Sequence, residues 1–245
     1  VHPGHLDVDE EDVGAGAGQR GERRAPVRRH ADVGAVLAEP GGQRLPYVLL
    51  VVDDEYAHRC AHHTSASPFG DERPRLLIVG LAPGFHGANA TGRPFTGDYA
   101  GVLLYETLHR FGWASVPVST SRDDGLRLTG ARITNAVKCV PPGNKPTPAE
   151  IAACNAFLVA ELAGLPPGTV VLALGAIAHG AVLRALGVRQ SAFRFGHGTE
   201  HRLPDGRVLV DSYHCSRYNT NTRRLTAEMF RAVVGRASEL ARGSG

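Results

Sequence analysis

The chain has 245 residues, 42% of them hydrophobic, and a formal net charge of +3, with arginine outnumbering lysine 25 to 2. This length can bury a sizeable core without disulfide staples; no apolar run approaches the roughly eighteen residues a membrane-spanning helix needs, and the acidic start VHPGHLDVDEED is unlike a secretory signal. Charge is divided unevenly: residues 1–65 hold 7 Arg/Lys against 11 Asp/Glu (−4), and residues 66–245 hold 20 against 13 (+7), a basic body compatible with a polyanionic partner.

Residues 1–66 are rich in Gly, Ala and Arg and show neither helical nor strand periodicity, which predicts a poorly ordered, low-complexity segment. The exception is LPYVLLVVDDEY (45–56), which can form a strand. From residue 67 a single α/β domain is expected, running to 245. RLLIVGLAPG (75–84) is an apolar run ending in glycines, a buried strand feeding a loop. DYAGVLLYETLHRFG (98–112) has apolar residues at helical spacing and stops on Gly112. ARITNAVKCV (131–140) reads as a strand. TPAEIAACNAFLVAELAGL (147–165) opens with Thr147, Pro148 and Glu150, the signature of a capped helix. TVVLALG (169–175) is a second buried strand, followed by a helix over 176–187. Strands on either side of LPDGR (203–207) predict a hairpin with an Asp-Gly turn, and Thr226 caps a last helix, 227–241. The alternation predicts a three-layer αβα fold around a mostly parallel central sheet.

In such sheets ligands lie beyond the carboxyl ends of the strands. Three unusual stretches follow strands here, 80–98, 135–146 and 213–224, and are expected to converge on one cleft. The first, GLAPGFHGANATGRPFTGD, has neither G-x-G-x-x-G nor a P-loop lysine, so it is a poor nucleotide loop. Its glycines let backbone N–H groups approach a ligand. Phe95 is a large ring in a polar loop, and Asp98 reads equally well as a helix N-cap. The last, SYHCSRYNTNTRRLT (212–226), holds one histidine, several hydrogen-bonding side chains and a basic end, more than a connection to a helix requires.

GLAPGFHGANATGRPFTGD, TNAVKC, PPGNKPTPAE and SYHCSRYNTNTRRLT together resemble the type 5 uracil-DNA glycosylases, the UdgB-like branch of the uracil-DNA glycosylase superfamily, over residues 70 to 241. The resemblance implies hydrolysis of the N-glycosidic bond of uracil, and of other deaminated bases, in DNA, initiating base excision repair. It implies a DNA partner, no membrane, a monomer, and a cytoplasmic, nucleoid-associated place of action in a bacterium. A base in a duplex must be flipped into a pocket before this chemistry. The resemblance lines that pocket with Gly80, Leu81, Ala82, Pro83 and Gly84, stacks the base on Phe95, and gives Asn135 the task of reading uracil, whose N3–H donor and O4 acceptor match one fixed side-chain amide. A strand-end Asn closing a turn is the plainer alternative. His214 is placed beside uracil O2, where negative charge develops; outside this motif it would read as a surface histidine. Other branches carry a polar residue where this chain has Leu81, so water handling passes to Asp98, the acid implied by the type 5 branch. Arg217 or Tyr218 would fill the gap left by the flipped base, and Asn219, Arg223 and Arg224 would hold the backbone. Relatives usually carry Gly at the position of Arg223.

The family also implies a 4Fe–4S cluster on four cysteine thiolates. Cys139 and Cys154 match the later pair. The upstream C-x-x-C is missing, and Cys60 stands alone as the third candidate. The chain as written is therefore expected to bind iron poorly. A second function class, a relative that binds or covalently traps uracil-DNA with little turnover, stays open, as does a small-molecule enzyme using the glycine loop.

Overall fold

In the computed structural model of the chain, residues 67–85, 87–141 and 145–243 are described. The low-complexity segment 1–66, with its candidate strand 45–56 and Cys60, lies outside them. The described residues hold a six-stranded sheet, β1 (Phe69–Gly70), β2 (Leu76–Gly80), β3 (Ala131–Asn135), β4 (Val170–Leu174), β5 (Glu200–Arg202) and β6 (Val208–Ser212), in the order β1-β3-β2-β4-β6-β5. The four central strands are parallel, and the short edge strands β1 and β5 run antiparallel to their neighbours. β5 and β6 form the expected hairpin around Asp205-Gly206.

β2 and β4 are buried at every residue, which is why they read as unbroken apolar runs. Alternate residues serve opposite layers. Leu76 and Ile78 join the core shared with α2 (Tyr99–Arg110) and α6 (Ala227–Gly243), while Leu77 and Val79 join the core under α3 (Pro148–Ala163) and α4 (Ala176–Ala185). The α3 start carries the full capping box: Glu150 N–H donates to Thr147 Oγ1 and Thr147 N–H to Glu150 Oε2. Trp113 closes the amino end of the sheet. Its indole N–H donates to Ser238 Oγ at 2.7 Å, and the guanidinium groups of Arg75 and Arg242 lie 5.6 and 5.1 Å from its ring.

Several boundaries differ from expectation. β3 stops at Asn135, not at 140, although Ala136 and Val137 still donate to Gly80 O and Leu81 O as the chain turns away, and β2 stops at Gly80, where its loop begins. Two short helices interrupt stretches that read as loops, α1 (Ala88–Thr91) and α5 (Arg217–Asn221). α5 is built from side chains that bond locally: Ser216 Oγ accepts from Asn219 N–H, and the Thr220 and Thr222 hydroxyls donate to Ser216 O and Tyr218 O. Polar residues that look like a solvated loop are thus partly spent on a single helical turn.

That turn ends at Arg223, which adopts φ +57°, the left-handed region that favours glycine. A non-glycine residue there costs on the order of 1–2 kcal/mol. Glycine would relieve this strain but lose roughly 0.5–1 kcal/mol to its freer unfolded chain. Arg223→Gly is expected to stabilise the domain by about 0.5 kcal/mol net, read as a higher urea midpoint with an unchanged m-value.

Candidate active site

Gly80, Phe95, Asn135 and His214, drawn from the three unusual stretches, lie together at the carboxyl ends of the strands. Gly80 is the last residue of β2, paired with Asn135 at the end of β3. A Cβ on Gly80 would come within 2.4 Å of Asn135 Oδ1 and 2.7 Å of Phe95 Cζ, so only glycine lets the amide and the ring close together. Phe95 is reached by a tight turn in which it adopts φ +57°. The turn is pinned at two points: Tyr105 Oη donates to Pro94 O at 2.7 Å, and Thr96 Oγ1 bonds Ser119 Oγ at 2.7 Å. Behind it, the buried Arg93 is paired with Asp124 at 2.7 Å and stacked over the Phe69 ring at 4.5 Å. Phe95 is 5% exposed and part of the core. A ring that looked misplaced in a polar loop is therefore a core side chain that also walls the cleft.

Asn135 is 2% exposed, and its Oδ1 is buried without a hydrogen-bond partner. An orphaned buried acceptor costs about 1–3 kcal/mol, so its survival points to a ligand that satisfies it. Across from it, His214 stacks on Phe95 with ring centroids 5.8 Å apart and planes 27° apart. His214 is half-buried, and the protein packed around its ring desolvates it and pushes its pKa down to about 4. It is a neutral imidazole near pH 7. Its carbonyl accepts from Asn219 Nδ2 at 2.8 Å, so Asn219, expected on the DNA backbone, is turned inward to hold the histidine's main chain. Gly175, at φ +100°, lies against the His214 Cβ.

Asp98 is the N-cap of α2, accepting from Gly101 N–H through Oδ1 at 2.9 Å. The N-cap reading of this residue is borne out, and its other oxygen, Oδ2, lies toward Gly84 and Gly87, where a Cβ at 87 would stand 3.0 Å from it. Burial raises the Asp98 pKa above the ordinary carboxylate value, against the cap bonds that lower it. Leu81, Ala82, Pro83 and Gly84 carry the chain from β2 past this carboxylate: Val137 N–H donates to Leu81 O, and Gly84 O accepts from the N–H groups of Gly87 and Asn89.

On the rim, Arg217 lies over the Tyr99 ring at 5.1 Å, and Arg224 over the Tyr213 ring at 4.7 Å. Tyr213 in turn stacks on His197 at 4.9 Å and 14°. Tyr218 is 71% exposed and projects from α5. Tyr99, Tyr213 and His197 were not identified in the sequence, where nothing marks a cation–π partner brought from another element.

The cysteines fall on two sides of the sheet. Cys154, on α3, accepts from Lys138 N–H at 3.4 Å, which places its sulfur under the loop that carries Cys139. Cys215 belongs to the other core, with α2 and α6, near Asp98, and its buried thiol is held well above the ordinary pKa.

Residues 67–237 match the Uracil DNA glycosylase superfamily. The type-5 uracil-DNA glycosylase of Thermus thermophilus is 53% identical over 173 residues, 71% of this chain and 78% of that protein. The chain belongs to the uracil-DNA glycosylase superfamily, in its type 5 branch. Type-5 enzymes of Mycobacterium bovis and Pyrobaculum aerophilum are 46% and 45% identical, over 71% and 70% of this chain and 65% and 74% of theirs. Across the described residues, no helix is long and apolar enough to cross a membrane.

The Gly80 contact makes a contrast between the glycine that ends β2 and Gly84 in the loop that follows. Gly80→Ala is expected to lose about 1–3 kcal/mol by overpacking and to shift the Asn135 side-chain amide resonances. Gly84→Ala, whose Cβ would stand at an ordinary 3.6 Å from Asp98 Oδ2, should do neither. Denaturation and amide NMR on both variants test this.

Proposed function

We infer that the chain excises uracil from DNA by hydrolysing its N-glycosidic bond, in base excision repair. The observation that carries this reading is the unpartnered, buried Asn135 Oδ1 beside the Phe95 ring and a neutral His214. An Asn amide has one accepting and one donating side. Oδ1 takes the N3–H of uracil and Nδ2 donates to O4, whereas cytosine presents the opposite pattern and leaves buried polar groups unpaired. Phe95 supplies the stacking face, worth about 1–3 kcal/mol.

Cleavage leaves an anionic base and a cation-like sugar. His214, neutral, donates one N–H to uracil O2 as charge builds there, and it does so without a buried cation in the ground state. Asp98 Oδ2 orients or deprotonates the attacking water and offsets the sugar's charge. Arg217, Arg223 and Arg224 pair with phosphates, the first and last stiffened by their aromatic partners. Tyr218 is the side chain best placed to fill the gap left by the flipped base. The described residues make up the catalytic domain, which acts as a monomer on chromosomal DNA in the cytoplasm.

Single-turnover excision on uracil-containing single-stranded DNA tests the roles. Asn135→Asp should slow uracil release at least about tenfold. His214→Ala should slow it about 100-fold or more with little change in DNA affinity. Burial raises the Asp98 pKa above its ordinary value and the group must be ionised, so the rate should fall as pH drops through that raised value. His214, with its pKa lowered to about 4, should contribute no limb in the ordinary histidine range. Wild-type rates in either variant would remove that residue from the pocket, and a stable protein–DNA adduct without released uracil would favour the trapping relative instead.

A 4Fe–4S cluster on four thiolates does not fit these residues. The chain has four cysteines, and Cys215 lies on the opposite face of the sheet from Cys139 and Cys154, so three at most can share one site. Purified protein should carry iron and sulfide well below the four of each that a full cluster holds. A full complement lost on replacing Cys60 would overturn this.

A further inference from the structure

On the α4 face of the sheet, away from the pocket, three buried ionisable side chains meet. Asp211 on β6 is fully buried. Its Oδ1 accepts from His179 Nδ1 at 2.8 Å, and its Oδ2 accepts from His201 Nε2 at 3.0 Å and from Gly196 N–H at 3.3 Å. The other nitrogen of His179, Nε2, lies 3.0 Å from Phe193 O. A carbonyl and a carboxylate both only accept, so both ring nitrogens of His179 donate and the ring carries two protons. The titratable groups facing His179 are Asp211 on β6 and His201 on β5, with ring centroids 5.3 Å apart in the second case; Phe195 packs edge-on against it at 5.7 Å. Although burial opposes charge on His179, the bonds to Asp211 and Phe193 prevail and its pKa is raised.

What this cluster holds is the segment 193–199. That segment is tied to α4 by His179 through Phe193 O, and to β6 by the Asp211 carboxylate through Gly196 N–H and by the Asp211 main chain, which accepts from Gly198 N–H at 2.8 Å and donates to Thr199 O at 2.9 Å. Between these ties sits His197, whose Nδ1 accepts Tyr213 N–H at 3.1 Å while its ring stacks on Tyr213. Tyr213 directly precedes His214, at the point where β6 has ended and no ladder bond fixes the main chain. The nitrogen that accepts must be unprotonated, and burial keeps His197 toward its neutral form.

We infer that His179 is a positioning residue for His214, acting through Asp211 and the 193–199 segment on the main chain of Tyr213. This rests on the reading of His214 as the group that meets the base. A second proton on His179 is required to hold both Phe193 O and Asp211. When that proton leaves at alkaline pH, one of the two ties is lost, the segment loosens, and the His214 ring drifts from its stacked position. The same sign applies to stability: with a raised folded pKa, the contribution of His179 is fully present below the ordinary histidine value and is lost as pH rises through the raised one.

The test combines ring ¹⁵N NMR of the intact protein with single-turnover excision from about pH 6 to 9.5 for wild type, His179→Gln and His214→Ala. Both His179 ring nitrogens should show imidazolium shifts at neutral pH, and the wild-type rate should fall on the alkaline side with the midpoint at which those shifts change. His179→Gln keeps one donor and cannot titrate. It should be slower by about tenfold, as expected of a misplaced catalytic group, without that alkaline limb and with DNA affinity within about twofold of wild type. A neutral His179 at pH 7, or a wild-type rate and limb in His179→Gln, overturns the proposal. If His179→Gln does not fold, agreement or disagreement of the wild-type NMR and rate midpoints decides. Unchanged excision by His214→Ala would defeat the reading of the pocket itself, a result separable from failure of the His179 proposal alone.

Discussion

The pocket depends on the absence of a single carbon atom. At the carboxyl end of β2 the chain needs a residue with no Cβ, because Asn135 from the neighbouring strand and Phe95 from the following loop both come to that spot. Strand pairing sets Gly80 opposite Asn135, and the pins on Pro94 and Thr96 bring Phe95 over the pair. The strained φ of Phe95 is maintained because the ring is also core, so the energy of burying it outweighs the cost of its turn.

Burial then sets the chemistry of the groups around the glycine. It lowers the pKa of His214 and raises that of Asp98, in both cases by disfavouring charge. His214 is neutral near pH 7, and the raised pKa of Asp98 brings its protonated form closer to neutral pH than that of an exposed carboxylate. The cap bond to Gly101 fixes one oxygen of Asp98 and thereby the direction of the other.

Much of this could be read along the chain. The buried strands announced themselves as apolar runs, Thr147 and Glu150 marked the start of α3, and Asp205-Gly206 marked the hairpin, because each signal is local. Phe95 stood out as a ring in a polar loop and His214 as a histidine in an unusually polar connection, whereas Asn135 came only through the family resemblance. The α5 turn was missed because Ser and Thr stabilise it through side-chain bonds that resemble loop chemistry. Asn219 was assigned outward when it points inward, since nothing in a sequence says which way a polar side chain turns. The His179–Asp211–His201 cluster was invisible for a different reason. Its members come from α4, β6 and β5, His179 and Asp211 stand 32 positions apart in sequence, and only the fold makes them neighbours.

The single tryptophan, Trp113, gives the molecule a built-in reporter with an unusual division of labour. It is anchored to α6 through Ser238 and packed near Gly130 and Arg75, at the amino ends of β3 and β2, whereas the pocket lies at their carboxyl ends. Its emission is therefore tied to the integrity of the α2–α6 layer and is insulated from events in the cleft. In a fluorescence titration with nucleic acid, the rim tyrosines and any base analogue carry the binding signal, and the indole serves as an internal standard for whether the scaffold is still intact.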